Sequence, residues 1–305
     1  MTNFMYIFCL FAWGLNFIAV KIQGTPVSLE LSLTYRLLIT AVLFIILSLF
    51  LRPKGKPQSK DILFIFIFGI CNFMLSYLCL YYATILSSAA IVTLIFSLKV
   101  ILTPIALRIF LKESFHSRIL VGGLLGISGV CILLYPSMSN IHSLSDLKGI
   151  LLALLGTVIT AVGDAASARN AKRKVNPLYA NAIGFTVGGL LLLTVILFQG
   201  QKISFPISAS YWSGLTYLIL IASFGAWLFY LKLVEQIGGA KSGYMVALFP
   251  AIAGVASVVI GESDLTIYLL IGCICSCLGA GIALGMGTHL SKVILTTNKS
   301  VDKHK

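Results

Sequence analysis

Charge is what this chain has least of. Only 10% of its 305 residues are charged while 59% are hydrophobic. Soluble domains carry about a quarter charged residues, so this composition excludes a water-soluble domain of any class. Acids are scarcest, nine against 22 Lys and Arg, and there are four histidines. The histidines His116, His142, His289 and His304 fall in polar breaks or the tail, too scattered for a metal site or a proton relay. Seven cysteines are present, but no CxxC pair. Cys273, Cys275 and Cys277 are two apart, so on a helix they point to different faces and read as small packing residues. The glycine-rich run Gly122-Gly123-Leu124-Leu125-Gly126 lacks the Lys-Ser/Thr of a phosphate loop, and its glycines read as helix-packing positions. No cofactor, metal or ATP site is expected. The opening residues lack a basic n-region and a small-residue cleavage site, so the first apolar run reads as a span rather than a signal peptide.

What is present is apolar runs of spanning length. They cover Phe4–Val20, Leu29–Leu51, Ile62–Ala83, Ala89–Leu111 and Ile119–Tyr135, then Gly149–Ala168, Leu178–Phe198, Tyr211–Val234, Ala240–Ile260 and Leu265–Met286. Each is near the ~20 residues needed to cross a hydrocarbon core. The expected fold is therefore an all-α membrane protein of about ten transmembrane helices. Residues 1–135 would form a first five-helix unit, 136–148 an external linker, 149–287 a second unit and 288–305 a basic tail.

The net charge of +13 would suggest nucleic acid in a soluble protein, but here its distribution has a simpler use. If each run crosses once, 17 of the 22 basic residues fall in breaks of one parity, in the turn of a run bordering them, or in the tail. They include Arg52, Lys54, Lys56 and Lys60, then Arg108, Lys112 and Arg118, then Arg169, Lys172, Arg173 and Lys174. The opposite breaks hold Lys21, Lys148 and Lys202. Positive residues collect on the cytoplasmic side, which puts both termini inside. No nucleic-acid partner is expected, and the lipid bilayer is.

The halves also match. A slide of 149 residues aligns Tyr81 with Tyr230, Glu113 with Glu262 and Gly123 with Gly272; a slide of 148 aligns Lys21 with Arg169 and Asn16 with Asp164. Five helices per half is an odd number, so the second half would enter from the opposite face. That is an inverted repeat, a common build of secondary transporters.

The first run contains Trp13-Gly14-Leu15-Asn16-Phe17 and is followed directly by Lys21. This resembles the opening of EamA-type carriers of the drug/metabolite transporter superfamily. Arg36, the stretch from Ser87-Ser88 through Pro104 to Lys112-Glu113, and Gly239-Ala240, Pro250 and Gly261-Glu262 extend the likeness over most of the chain. Two departures are Pro104, closer to its glutamate than Pro250 is, and the charge of Lys99 in the fourth run. The resemblance implies two five-helix repeats around a central cavity. It also implies a secondary, non-ATP-driven carrier of a small metabolite such as an amino acid, an amino-acid derivative or a nucleoside-like compound.

Candidate substrate-binding residues are Trp13, Asn16, Tyr81, Lys99, Asp164, Trp227 and Tyr230. A tyrosine in mid-span needs a partner for its hydroxyl, which favours a polar cavity near Tyr81 and Tyr230. Lys99 lies ~16 Å from either end of its span, beyond the ~6 Å reach of its stem. A lone charge there costs at least ~2.5–3.5 kcal/mol, so it needs a partner, and Asp164 is the deep carboxylate available. Two readings stay open. Lys99 pairs with Asp164 only while the site is empty, giving way to an anionic group of the substrate, or the pair is permanent and structural. Arg36, about eight residues into its run, could reach the outer interface by snorkelling, and is expected either to make a structural hydrogen bond to loops or to act at the cavity mouth. Two other functions compete, a structural or receptor-like bundle and a membrane-embedded enzyme. An enzyme would need clustered acids or a nucleophile with its base, and the short basic breaks lack them.

Overall fold

A computed structural model describes residues 1–113, 117–138, 144–259, 261 and 266–284. Among these the chain is helical throughout, with no strand. The helices are α1 (Thr2–Gln23), α2 (Leu29–Leu51), α3 (Ser59–Leu86), α4 (Ala89–Leu111), α5 (Ser117–Met138), α6 (Leu144–Lys172), α7 (Pro177–Phe198), α8 (Ala209–Ile237), α9 (239–259) and α10 (Ile267–Leu284). Seven of them, α1 to α4 and α6 to α8, are long and apolar enough to cross a membrane. The apolar stretches of α5, α9 and α10 are shorter.

The bounds of α2 and α4 coincide with their apolar runs, because capping side chains sit at the edge of each run. Ser28 Oγ accepts the Leu31 N–H at 3.2 Å and Ser88 Oγ the Ile91 N–H at 3.1 Å. Several other helices, α3, α5, α6, α7 and α8 among them, outrun the apolar stretch. The α3 start is carried back to Ser59 by the Gln58 N–H donating to Asp61 Oδ2 at 3.0 Å, a polar cap outside the apolar pattern. The segment 136–148, expected as a linker, is helical at both ends, with 139–143 outside the described residues.

Five helices are not regular along their length. α1 turns at Leu15, α4 at Leu98, and α9 passes through a 3₁₀ stretch at Tyr244–Leu248. π-helical turns interrupt α3 at Ile70–Leu75 and α8 at Leu220–Gly225. These irregularities fall beside the cavity described below, where freed backbone groups find partners.

Packing is ordered. α2 lies along α7 and α5 along α10, forming two flanks. Between them α1 packs on α8 and α9, α6 packs on α3 and α4, and α4 meets α9. Glycine sets the closest approaches. A Cβ on Gly69 would stand 2.5 Å from the Gly184 carbonyl oxygen, and one on Gly279 would stand 2.5 Å from that of Gly122. Backbone cannot yield there, so the α3–α7 and α5–α10 contacts require the missing side chains. Large apolar side chains cover the outside: Leu49, Phe50, Ile109 and Phe198 are all more than half exposed, as expected of a lipid-facing surface.

Contacts between the breaks sort them into two ends. The Asn176 N–H donates to Gly55 O at 2.9 Å, and Lys172 pairs with Glu113 at 2.7 Å, so the breaks after α2, α4 and α6 share one end. Ser28 Oγ donates to Gln201 at 2.7 Å and Lys21 Nζ to Ser87 O at 3.3 Å, joining the breaks after α1, α3 and α7 at the other. The breaks at the first end, with the helix turns bordering them, gather 11 of the 22 basic residues, and those joined at the other hold Lys21 and Lys202.

Candidate functional site

The cavity lies between the two flanks, among α1, α2, α3, α4, α6, α8 and α9, with about 510 Å³ of empty space including its open mouth. Its walls are mainly aromatic. Trp13 and Trp227 meet edge to face with ring centroids 5.2 Å apart, and Tyr230 packs behind both at 5.0 and 5.5 Å. Phe17, Phe96 and Phe249 complete the apolar side. The indoles are fixed by their N–H groups. Trp13 Nε1 donates to Ala222 O at 2.8 Å, a carbonyl within the π turn of α8. Trp227 Nε1 donates to the Tyr77 hydroxyl at 2.7 Å. Such bonds lock the rings, so the walls are preorganised.

Two polar centres interrupt this wall. In the first, Lys99 Nζ stands 2.9 Å from Asp164 Oδ2, with the side chains 3% and 2% exposed. Lys99 follows directly on the turn at Leu98, and Thr103 one helical turn later lies on the same face. Thr103 Oγ1 accordingly donates to the same Asp164 oxygen at 2.9 Å. Asn72 Nδ2, from the π turn of α3, donates to Asp164 Oδ1 at 3.3 Å. The carboxylate thus holds one counter-ion and two neutral donors, which is how a buried pair offsets its desolvation. Lys99 also lies over the rings of Phe96 and Tyr230, at 5.4 and 5.5 Å.

The second centre is Arg36, which does not snorkel. It is 0% exposed and turns into the cavity. Its Nε donates to Ser223 Oγ at 2.8 Å, Nη2 to Asn16 Oδ1 at 3.1 Å and Nη1 to the Tyr81 hydroxyl at 3.3 Å. The guanidinium lies 4.3 Å over the Tyr77 ring. Snorkelling fails because α1, α3 and α8 enclose this face of α2 with acceptors, and those acceptors satisfy the fork better than a stretched stem would.

Of the seven residues singled out in the sequence, Trp13, Asn16, Tyr81, Lys99 and Trp227 line the cavity. Asp164 and Tyr230 stand one layer behind, Asp164 holding Lys99 and Tyr230 packing on the indoles. The Tyr81 hydroxyl finds Arg36 as its partner, whereas the Tyr230 hydroxyl has none among the described residues. The side chain of Tyr244 lies outside the described residues, as do all four histidines, Glu262 and Asp264.

Asn72, Tyr77 and Ser223 are the contributors that the sequence did not place in the site, and Arg36 is one whose place it left open. Asn72 carried a signal of the same kind as Asn16, an amide inside an apolar run. Ser223 carried none, because a mid-span serine is most often a packing residue. Outside the cavity, Asp61 meets Arg173 at 2.9 Å and Arg169 at 3.7 Å, tying the start of α3 to the end of α6. No group of three His, Cys, Asp or Glu that could hold a metal occurs among the described residues.

Comparison with known proteins agrees with this architecture. A solved crystal structure superposes with a TM-score of 0.74 over 95% of this chain and 98% of its own, at 20% identity, a likeness of fold. The chain is 24% identical over 262 residues to the "Uncharacterized transporter YyaM" of Bacillus subtilis (strain 168), covering 84% of each. It is 22% identical over 261 residues to an "Uncharacterized transporter" of Archaeoglobus fulgidus, covering 85% of this chain and 90% of the relative. The model of the EamA-like transporter family matches residues 1–135 and 147–285. The chain therefore belongs to the EamA-like transporter family and is a multi-pass membrane protein of the transporter class.

Proposed function

We propose that the protein is a secondary carrier working by alternating access around the central cavity. Its substrate would be a small amphipathic or zwitterionic metabolite, such as an amino acid, an amino-acid derivative or a nucleoside-like compound. It would span the bacterial inner membrane ten times as two inverted five-helix repeats, with both termini cytoplasmic.

Several observations support the repeat. The packing pairs exchange when the halves are swapped: α1 on α8 becomes α6 on α3, α1 on α9 becomes α6 on α4, and the two flanks map onto themselves. The π turns at Ile70 and Leu220 start 150 residues apart, and Leu98, where α4 turns, falls within the 3₁₀ stretch of α9 after a slide of 149. Broken helices at matched positions around a midplane site recur in inverted-repeat carriers. The end that gathers Arg52, Lys54, Lys56, Lys60 and Arg169 to Lys174 would be cytoplasmic.

One observation carries the substrate class. The cavity joins an aromatic wall to two buried cationic side chains, Lys99 and Arg36, which suits a solute with an apolar body and a charged head. Trp13, Asn16, Tyr81, Lys99 and Trp227 would touch it, with Asp164 and Tyr230 holding them in place. At the basic end, Asp61 with Arg169 and Arg173, and Glu113 with Lys172, join α3 and α4 to α6. These pairs would part as one side of the bundle rocks open.

Counterflow tests the reading. Proteoliposomes preloaded with unlabelled amino acids or nucleosides are diluted into trace labelled solute. Transient accumulation above equilibrium, without ATP, is the expected result. A purified, folded carrier that produced no counterflow with any member of either class would overturn it.

A further inference from the structure

We propose that Arg36 is the anchor for a carboxylate on the transported solute, so that recognition requires an anionic head as well as an apolar or aromatic body. This deepens the carrier reading above and rests on it. Each of the cavity's two cations has been taken out of water, and only one has been neutralised. Lys99 has the Asp164 carboxylate at 2.9 Å. Arg36, 0% exposed, makes no ion pair among the described residues, and its three bonds go to a hydroxyl, a phenol and an amide. Stacking on Tyr77 at 4.3 Å eases the burial of its charge but does not cancel it. A buried cation left in this state is held ready for an anion.

The geometry of the fork points the same way. A guanidinium has five N–H donors, and these three contacts leave two unspent, one on each terminal nitrogen. Ser223, Tyr81 and Asn16 come from α8, α3 and α1, so three elements hold the group in place while it faces the cavity. Two donors in a fixed fork match the two oxygens of a carboxylate. Lys99 is the poorer anchor, since an incoming anion would have to displace Asp164, which Thr103 and Asn72 hold in place. One open positive charge also favours a monoanion over a phosphate dianion. The aromatic wall formed by Trp13, Trp227 and Phe249 would take the apolar remainder.

Matched ligands test this first on the wild type and then on variants of Arg36. The purified carrier in lipid nanodiscs is titrated with L-phenylalanine and L-leucine, their amides, and the corresponding amines phenethylamine and 3-methylbutylamine, with binding read from thermal stabilisation. The acids are expected to bind the wild type at least ~10-fold more tightly than their amides or amines, about the size of one charged hydrogen bond. In Arg36→Gln that ratio should fall to about one, with Arg36→Lys in between. Amides or amines that bind the wild type as tightly as the acids would overturn the anchor and leave the carrier reading standing. A ratio unchanged in folded Arg36→Gln would do the same. A folded wild type that binds no member of the series, and gives no counterflow with any amino acid or nucleoside, overturns both.

Discussion

The two polar centres of the cavity bury one cation each, yet they answer its charge differently. At Lys99 the protein supplies the counter-ion, Asp164, and backs it with Thr103 and Asn72. At Arg36 it supplies neutral acceptors and an aromatic face. The proposed repeat would make the contrast instructive, because Asn16 beside Arg36 and Asp164 beside Lys99 occupy matched positions when the halves are slid by 148 residues. One position carries an amide and the other a carboxylate. The same scaffold thus closes the electrostatics on one side and leaves them open on the other. A closed pair holds helices together; an open cation waits for something else to arrive.

Breaking the closed pair should have the largest effect. Asp164→Ala strands a buried lysine among Phe96 and Tyr230, and a loss of about 3–5 kcal/mol is expected. Replacing both partners at once, Lys99→Met with Asp164→Leu, should restore most of it, since no unpaired charge remains. Thermal unfolding in detergent, followed by tryptophan fluorescence, distinguishes these outcomes. If the single and double variants melt alike, the pair is not a closed unit.

Arg36→Met should cost less than either single break of the pair, about 2 kcal/mol. It leaves three acceptors unmatched, but it also removes a charge that had no counter-ion. The same melting assay checks it, and a loss exceeding that of Asp164→Ala would reverse the ranking of the two centres.

Smaller changes sharpen the second centre. Ser223→Ala removes the shortest of the three Arg36 bonds, 2.8 Å, and should cost about 1.5 kcal/mol, as for a hydrogen bond to a charged group. Tyr81→Phe removes the longest, 3.3 Å, and about 0.5 kcal/mol is expected. Equal losses would mean that the π turn of α8 is not what positions the guanidinium.

How much of this was legible follows from which forces act locally. The bounds of α2 and α4 could be read because hydrophobicity stops where a serine caps. The Lys99–Asp164 pair could be read because a charge too deep to reach water must find a partner, an argument needing only distances along a helix. Arg36 was ambiguous for the converse reason. Eight residues from a helix end, it can reach the interface, and only the side chains of three other helices decide that it turns inward. The π turns were invisible, since each adds one residue to a helical turn and rotates Asn72 or Ser223 onto a new face without altering composition.

The most direct test of the account is access to the cavity from both sides. Thr160 lines it, nearly buried, on α6. A Thr160→Cys variant, in a background with the seven native cysteines replaced, would be placed in vesicles of known orientation and treated with a membrane-impermeant thiol reagent from either side. Alternating access predicts labelling from both faces, with a transported solute shifting the balance between them. Labelling from a single face, unchanged by any solute that gives counterflow, would contradict it.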